Sequence, residues 1–266
     1  MPEPLETGPP MQLPFQSPLD GVLLVTGAAR GIGAACAKLG AQAGYRVVVN
    51  YARSQAAAQA LVDEIAAAGG QAMAVQADVS DPAQVSHLFE TTDRCFGPVS
   101  ALINNAGIGG TIAPLLAHTP ETMAQIFATN TMATLYCAQA AAKRMCHHLG
   151  GPGGVIVNNS SAAARLGGMP GMVVYAASKG AVDSLTIGLA KELGGDGVRV
   201  LGLRPGVIDT DILTPMGGAA LMAQLAPTIP LGRVGRAEEI AQAAIWLLSP
   251  AASYLHGTTL DVSGGR

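Results

Sequence analysis

A tyrosine and a lysine stand one helical turn apart in the run Tyr175-Ala176-Ala177-Ser178-Lys179. If this run is helical, both side chains lie on one face, because residues i and i+4 are neighbours on a helix. A phenol of ordinary pKa is a weak acid or base at neutral pH, and a nearby ammonium favours its ionised form. The pair therefore has the chemistry of a general acid/base for a carbonyl or alcohol oxygen. Taken alone, this spacing is common by chance, and a surface Tyr–Lys pair would be the better interpretation.

A second chemical motif is the glycine-rich run from Thr26 to Gly33, between a short apolar run and a helical segment. Glycines let the backbone approach a phosphate closely, and a helix start offers free N–H groups and a positive dipole end to it. The spacing is GxxxGxG rather than the usual GxGxxG fingerprint. A tight strand–helix turn would need similar glycines.

The residues after the second predicted strand bear on which dinucleotide is bound. An acidic residue there would accept hydrogen bonds from the adenosine ribose and repel a 2′-phosphate. This chain has Asn50-Tyr51-Ala52-Arg53 instead, and Arg30 lies in the glycine turn. Because the planar arginine fork suits phosphate, NADP(H) is favoured over NAD(H). The alternative is that both arginines are solvated surface residues.

The segments that must position these groups alternate between short apolar runs and longer alanine-rich runs. The predicted strands are Val22–Thr26, Arg46–Asn50, Ala72–Gln76, Ala101–Asn104, Val155–Asn159, Val198–Leu203 and Thr259–Val262. The predicted helices are Ile32–Ala43, Gln55–Ala68, Pro82–Phe96, Pro120–Leu149, Val174–Leu193 and Ala237–Leu248. The alternation predicts an α/β fold: one Rossmann-type, doubly wound parallel sheet of about seven strands with helices on both faces. Asp81 before Pro82 is typical of a helix N-cap.

Length and composition predict one folded domain. The chain has 266 residues, 49% of them apolar and 12% charged, with a net charge of −3. We expect an N-terminal tail over residues 1–20 and a dinucleotide-binding domain over 21–266, with a substrate loop near 207–236 inside the irregular stretch Pro205–Arg236. The weak charge disfavours nucleic acid as a partner, and no apolar run predicts a membrane span. With no secretory signal, a cytoplasmic location is expected.

Cysteine and histidine spacing gives no sign of a metal site. Cys36, Cys95, Cys137 and Cys146 form no CxxC pair, and the five histidines, including His147-His148, lack ligand spacing. We therefore predict small buried thiols in a reducing compartment and no bound metal.

The order of these motifs resembles the short-chain dehydrogenase/reductase family, from about residue 20 to residue 266. The matching runs are Thr26–Gly33, Asp78-Val79, Asn104-Asn105-Ala106-Gly107, Asn130, Asn159-Ser160-Ser161, Tyr175 with Lys179, and Pro205-Gly206 with Thr210. The resemblance implies a catalytic set of Asn130, Ser161, Tyr175 and Lys179, with Ser161 preferred to Ser160. The predicted cofactor-binding residues are Gly27, Arg30, Gly31, Ile32, Gly33, Asn50, Tyr51, Arg53, Asp78, Val79, Asn104, Ala106, Gly107, Tyr175, Lys179, Pro205, Gly206, Ile208 and Thr210.

The family's roles then apply position by position. Tyr175 would exchange a proton with the substrate oxygen, Lys179 would lower its pKa and bind the nicotinamide ribose, and Ser161 would hold the substrate oxygen. Asn130 would fix a helix kink and a water near Lys179, and Asn104, Ala106 and Gly107 would lie beside the adenine and its ribose. The fourteen-residue spacing from Ser161 to Tyr175 is one longer than in many relatives, which indicates an insertion within residues 162–174. A homotetramer assembled through the helices of Asn130 and Tyr175 and the C-terminal segment is also implied.

The substrate is predicted to be a small, neutral and largely apolar ketone, aldehyde or secondary alcohol. Its pocket would be lined by Leu166, Met169, Met172, Ile212, Leu213, Met216, Leu221 and Met222. One alternative is a 3-oxoacyl-carrier-protein reductase, which needs a basic docking patch with Arg144, Arg165 and Arg233 as candidates. The other alternative is a dinucleotide-sensing module without turnover.

Overall fold

A computed structural model describes residues 19–211 and 217–266, and its centre is a parallel sheet of seven strands. The strand order is β3-β2-β1-β4-β5-β6-β9. These strands are β1 Val22–Val25, β2 Arg46–Tyr51, β3 Gln71–Gln76, β4 Ala101–Asn104, β5 Gly154–Asn159, β6 Val198–Pro205 and β9 Thr259–Val262. Two short strands, β7 Ile208–Asp209 and β8 Gly235–Arg236, pair with each other outside the main sheet. The predicted doubly wound fold is confirmed.

Helices cover both faces of the sheet. They are α1 Gly31–Gln42, α2 Gln55–Ala67, α3 Pro82–Cys95, α4 Pro120–Phe127, α5 Ala133–Met145, α6 Ala163–Leu166, α7 Val173–Leu193, α8 Gly218–Leu225 and α9 Ala237–Leu248. One buried cluster joins α1, α2 and α9 to one face through residues such as Leu23 and Val25, and the other joins α3 and α5 to the opposite face through Val22 and Leu24. Alternate residues of each strand face opposite sides, which explains why the strands are apolar throughout.

Strand β1 is where the chain changes direction across the sheet. It pairs in parallel with β2 on one side and with β4 on the other. The connections from β1 and β4 therefore leave in opposite directions, and a crevice opens above their carboxyl ends. Ligands of doubly wound sheets bind in this crevice.

Two element predictions need correction. The helix predicted over Pro120–Leu149 is interrupted by a π-helical segment at Ala128–Met132 and ends at Met145, where Cys146 is extended before a 3-10 turn. The stretch predicted to be irregular, Pro205–Arg236, contains β7, α8 and β8. The predicted N-cap is confirmed, since the Asp81 carboxylate accepts a 2.8 Å hydrogen bond from the Ala83 N–H.

The predicted tail, including Phe15, lies outside the described residues apart from its last two positions. Within the described ranges no helix is both long and apolar enough to cross a membrane.

Candidate active site

Four segments that follow the strands meet at the carboxyl edge of the sheet. They are the glycine turn after β1, the Asn104–Gly107 run at the end of β4, the serines after β5 and the Pro205-Gly206 turn at the end of β6. Parallel strands bring all these ends to one edge, so positions far apart in sequence share one crevice.

The glycine turn has no room for side chains. Gly27 and Gly31 have left-handed φ angles of +61° and +54°. A Cβ on Gly33 would lie 2.6 Å from the Asn105 amide nitrogen, and one on Gly31 would lie 3.2 Å from the Thr210 methyl group. Helix α1 begins directly after the turn without a side-chain cap and without an acidic residue in its first turn. This uncapped helix start beside a narrow glycine turn fits a pyrophosphate.

Two asparagines, buried Asn50 and half-buried Asn105, hold the turn in place. The Asn50 oxygen accepts from the Gly27 N–H at 3.2 Å, while the Asn50 amide group donates to the Ala77 carbonyl at 3.0 Å. Asn105 donates to the Thr26 and Gly27 carbonyls at 3.0 and 3.2 Å. The Asn50 side chain is 1% exposed, so it supports the turn rather than offering its amide to a ligand.

Asn104 serves the sheet rather than the crevice. Its amide group donates to the Asn158 oxygen at 3.0 Å and to the Thr134 carbonyl at 3.3 Å, and Asn158 continues to Thr186 at 3.0 Å. The residue is 4% exposed. This burial speaks against the predicted cofactor contact from the Asn104 side chain, whereas its neighbour Asn105 supports the crevice directly.

Tyr175 lies near the start of α7 and is half-buried, and Ser161 is the neighbour that acts on its phenol. Burial raises the pKa of the phenol above its usual value, and the Ser161 hydrogen bond partly opposes that rise. The other serine, Ser160, is buried and donates to the Lys179 carbonyl at 3.0 Å. Geometry therefore separates the two serines: Ser161 faces the phenol, and Ser160 fastens β5 to α7.

The Lys179 ammonium is buried beside the same site. It donates to the Asn159 carbonyl at 2.7 Å, and a Cβ built on Gly107 would lie 3.4 Å from it. Burial lowers the pKa of Lys179 to about 8, and the Asp183 carboxylate one turn along α7 opposes that effect. The amine remains predominantly charged at neutral pH. Ser161, and not Lys179, is the neighbour that lowers the pKa of Tyr175 in the ligand-free chain.

Asn130 lies within the π-helical segment and joins three elements. Its oxygen accepts from the Ile108 N–H at 2.8 Å, and its amide group donates to the Ile108 carbonyl and to the Ser178 hydroxyl, both at 3.0 Å. Ser178 donates in turn to the Tyr175 carbonyl at 2.7 Å. A π-bulge re-aims a side chain inside a helix, and here it directs the amide at the loop after β4. The predicted irregularity at Asn130 is present.

The residues predicted on the adenosine side differ in exposure. Arg30 and Arg53 are exposed, and Arg30 lies 3.8 Å from Asp211. Asp78 is exposed and accepts from the N–H and the hydroxyl of Ser80, at 3.0 and 2.7 Å. Four other predicted cofactor-binding residues are buried behind the crevice: Tyr51, Val79, Pro205 and Ile208.

The predicted substrate side is partly visible. Met169 and Met172 are half-buried and Leu166 is exposed, as expected of a lining open to solvent. Leu221 and Met222 are half-buried on α8, whereas Ile212, Leu213 and Met216 lie outside the described residues. Sequence reasoning missed a further apolar segment after β4 that contacts this side. The Ala113 N–H donates to the Gly171 carbonyl at 3.1 Å, and Leu115 and Leu116 are exposed.

Comparison with known proteins agrees with the motif order. The family model described as enoyl-(acyl carrier protein) reductase matches residues 27–266. The uncharacterized oxidoreductase YgfF of Escherichia coli K12 is 45% identical over 245 residues, covering 92% of this chain and 99% of the relative. The 3-oxoacyl-[acyl-carrier-protein] reductase of Synechocystis is 40% identical over 245 residues, covering 92% and 96%.

The chain is a short-chain dehydrogenase/reductase. Two similar solved structures are oxidoreductases that hold different dinucleotides. A short-chain dehydrogenase from Burkholderia cenocepacia in complex with NADP has a TM-score of 0.85 at 36% identity, covering 94% of this chain and 99% of that one. A 7α-hydroxysteroid dehydrogenase complexed with NADH and 7-oxo glycochenodeoxycholic acid has a TM-score of 0.86 at 35% identity, covering 93% and 94%.

Several residues that hold the site of this short-chain dehydrogenase/reductase in place could not be singled out from the sequence pattern. Asn105 and Asn159 were visible within quoted motifs, yet only the structure shows that the Asn159 amide donates to the Asn105 oxygen at 3.1 Å. Asp183 follows Lys179 at helical spacing, which would have been a usable clue.

Proposed function

We propose that this chain is an NADP(H)-dependent oxidoreductase that reduces a ketone or aldehyde to an alcohol, or runs the reverse reaction. The observation that carries the proposal is the convergence of Ser161, Tyr175 and Lys179 beside the glycine turn. A half-buried phenol influenced by a serine hydroxyl, with a buried ammonium on the same helix, is suited to proton exchange with an oxygen.

The ligand-free electrostatics favour Tyr175 as a proton donor. Its raised pKa keeps the phenol protonated at neutral pH, which is the form needed for reduction. Ser161 would donate a hydrogen bond to the substrate oxygen as negative charge develops there. Lys179, held by the Asn159 carbonyl, would stabilise the phenolate left after proton transfer and bind the ribose hydroxyls. A bound reduced nicotinamide supplies the hydride.

Two exposed arginines support NADP(H) over NAD(H). Arg53 has no ion-pair partner among the described residues, and the Arg30–Asp211 pair is long and exposed. Exposed pairs of this kind contribute at most about 1 kcal/mol, so a 2′-phosphate would compete for Arg30 easily. The related structures hold either dinucleotide, so the argument depends on the arginines themselves.

The substrate is proposed to be neutral and mostly apolar. Half-buried Met169 and Met172 and exposed Leu115 and Leu116 lie near the substrate side, and methionine adapts to varied shapes. An apolar lining of this kind binds a carbonyl compound through its hydrocarbon part and leaves its oxygen to Ser161 and Tyr175.

The acyl-carrier-protein alternative has relatives in its favour but few available cations. Arg144 is bonded to Asp93 at 2.6 Å, Arg233 to Glu239 at 2.6 Å, and Arg165 lies 3.9 Å from Asp261. Arg144 and Arg233 are therefore held closely by carboxylates, whereas Arg165, in a long pair, is as available as Arg30. A docking patch reduced to one available arginine favours a small free carbonyl compound over a carrier-bound one.

The deciding experiment compares Tyr175→Phe with the wild-type chain. We expect Tyr175→Phe to lower kcat for NADPH-dependent reduction of a ketone panel by about a thousandfold or more, since general acid/base groups contribute 10²–10⁴-fold. NADPH binding, followed by quenching of its fluorescence, should change less than about threefold. Tyr254→Phe removes a hydroxyl from a fully exposed tyrosine and should leave kcat unchanged.

Full activity in Tyr175→Phe would refute the mechanism. Tight NADPH binding with no turnover on any ketone, aldehyde or alcohol would favour the sensing module instead.

A further inference from the structure

Two connections meet at the amino edge of the sheet, opposite the crevice. One links α5 to β5 through the 3-10 turn His147–Leu149, and the other links α7 to β6 through the 3-10 turn Gly194–Asp196. Strands β5 and β6 are neighbours, so the two turns lie side by side. The Gly154 N–H donates to the Gly197 carbonyl at 3.1 Å and ties them together.

These turns bring together a thiol, an imidazole and a carboxylate. One ligand atom each from Cys146, His148 and Asp196 lie within 4.8 Å of one another, the only such group of three among residues 19–211 and 217–266. Cys146 is 2% exposed, whereas the side chains of His148 and Asp196 are 61% and 27% exposed. The sulfur is therefore the buried member of the group, and the imidazole and the carboxylate lie on its solvent side.

We propose that Cys146, His148 and Asp196 bind one divalent zinc ion, with solvent in the fourth position. Sulfur, imidazole nitrogen and carboxylate oxygen are the donors that zinc takes in proteins, and its sites are tetrahedral. Sequence spacing concealed this group because Asp196 is 48 residues from His148. The proposal corrects the expectation that the histidines lack a partner set.

The spacing of the imidazole and carboxylate atoms needs only a small adjustment, whereas the sulfur, which lies within 4.8 Å of both, must stand about 3.5 Å from each of them on a tetrahedral zinc. His148 Nδ1 and an Asp196 carboxylate oxygen are 2.8 Å apart, sharing a hydrogen bond. Two light ligand atoms on a tetrahedral zinc, each bonded at about 2.0 Å, stand about 3.3 Å apart. Replacing the shared proton by the metal therefore opens this pair by about half an ångström. The thiol proton is released to solvent at the same time.

The surrounding backbone holds the ligands near this arrangement. The His148 N–H donates to the Asp196 carboxylate at 3.2 Å, which orients that carboxylate without using the imidazole. The Cys146 carbonyl accepts from the N–H groups of Leu149 and Gly151 at 3.1 and 2.9 Å. Preorganised ligands of this kind lose little conformational freedom on binding metal.

The proposed zinc site is remote from the catalytic residues. Ser160 follows the carboxyl end of β5, whereas Cys146 and His148 precede its amino end, and the six residues of β5 span about 17 Å. Zinc at this position would brace two connections. It would not take part in carbonyl reduction, so its test is independent of the proposed function.

The test uses the full chain, stripped with a chelator and then dialysed, and titrates it with Zn²⁺ in competition with a metallochromic indicator. We expect one Zn²⁺ per chain with a Kd of about 1 µM or tighter. His148→Gln and Asp196→Asn should each weaken binding by about a hundredfold. The matched control is His87→Gln, an exposed histidine on α3, which should leave the Kd unchanged.

Thiolate ligation is checked without altering buried Cys146. Co²⁺ in place of Zn²⁺ should give a near-ultraviolet charge-transfer band and tetrahedral visible bands in the wild-type chain, and neither in His148→Gln. Absence of stoichiometric Zn²⁺ binding, or equal Kd values in the wild type and both ligand variants, would overturn the proposal. Circular dichroism melts without metal establish that the variants are folded.

Discussion

Burial changes the behaviour of Lys179 before any ligand is bound. Its pKa falls to about 8 from an ordinary value of 10.5, because a buried ammonium loses hydration. Below pH 8 both the folded and the unfolded chain carry this proton. Between pH 8 and 10.5 only the unfolded chain does, so the contribution of Lys179 to stability rises with pH there.

The direction of this change in stability with pH can be measured by comparing the wild type with Lys179→Met. The free energy of unfolding of the ligand-free wild type, relative to Lys179→Met, should rise by roughly 1 kcal/mol per pH unit between pH 8.5 and 10. Urea titrations at several pH values give this difference. A flat difference would show that Lys179 does not lose its proton in this range.

Asp183 tunes the same residue through its charge. Its carboxylate is bonded to Arg204 at 2.8 Å and raises the pKa of Lys179, so Asp183→Asn should make the stability rise begin at lower pH. Asp261→Asn is the matched control, since it also removes a carboxylate near Arg204, at 3.7 Å. An identical onset in the two variants would show that Asp183 does not act on Lys179.

The proposed preference for NADP(H) can be tested at Arg30. A charge-assisted hydrogen bond contributes about 1.5–3 kcal/mol, so Arg30→Ala should raise the KM for NADPH by about ten- to a hundredfold and change the KM for NADH little. Arg94→Ala, on the exposed face of α3, is the control. Steady-state kinetics with both cofactors decide the matter, and equal losses for NADPH and NADH would contradict a 2′-phosphate contact.

At the scale of elements, the loop after β4, the π-helical segment and α7 meet at Gly107. A Cβ there would lie 3.2 Å from the Asn130 oxygen, which is tighter than ordinary contact, and 3.4 Å from the Lys179 nitrogen, which is ordinary van der Waals contact. The absence of a side chain at Gly107 therefore sets how near these three elements can approach.

Gly107→Ala should displace the Asn130 side chain, which is bonded to Ile108 and to Ser178 of α7, and lower kcat by about ten- to a hundredfold, since small misplacements in a catalytic site have effects of this size. Gly188→Ala in α7, with no heavy atom within 4 Å of its added Cβ, should leave kcat unchanged and increase stability by up to about 1 kcal/mol. Assays and melts of the two variants make the comparison. Unchanged kcat in Gly107→Ala would mean that the contact is not restrictive.

The sequence predicted strands and helices correctly where a single residue pattern was strong. Apolar β-branched runs located all seven strands of the main sheet, and Thr259–Val262 was predicted to the residue. Helix α8 was missed because its sequence, GAALMAQL, begins with glycine and has no polar cap. The sequence predicted a helix kink at Asn130. It did not show that Ala128–Met132 is π-helical, because that form involves bonds to Ile108, which is distant in sequence.

The predictions for the candidate site also differ in how well they agree with the structure. Tyr175 and Lys179 were predicted from their spacing, Ser161 was implied by the family resemblance, and all three lie at the carboxyl edge of the sheet. Asn50 and Asn104 were assigned to the cofactor, but both are buried in hydrogen bonds to the protein. Sequence alone does not distinguish an asparagine that contacts a ligand from one that holds the backbone behind it.

At the scale of the whole molecule, α7 leaves an apolar stripe uncovered. Val173, Ala177 and Ile187 are exposed at helical spacing, and Phe127 and Met132 are exposed around the π-helical segment. This surface supports the proposed homotetramer built through these helices. The cytoplasmic location stays a prediction.

Ile187→Glu should reduce the particle mass, because it places a charge within the proposed interface. Light scattering after size exclusion should give four chain masses for the wild type and a smaller assembly for the variant. Ala57→Glu adds the same charge on the exposed face of α2 and should keep the wild-type mass. A wild-type mass of one chain would rule out the tetramer.

The amide of Asn50 has a consequence for any redesign that aims to shift the proposed coenzyme preference towards NAD(H). Its oxygen accepts from Gly27 while its nitrogen donates to the Ala77 carbonyl, and a carboxylate can do only the first. Introducing aspartate here would set two acceptors against each other beneath the glycine turn. Engineering should therefore begin at the exposed arginines and leave this asparagine in place.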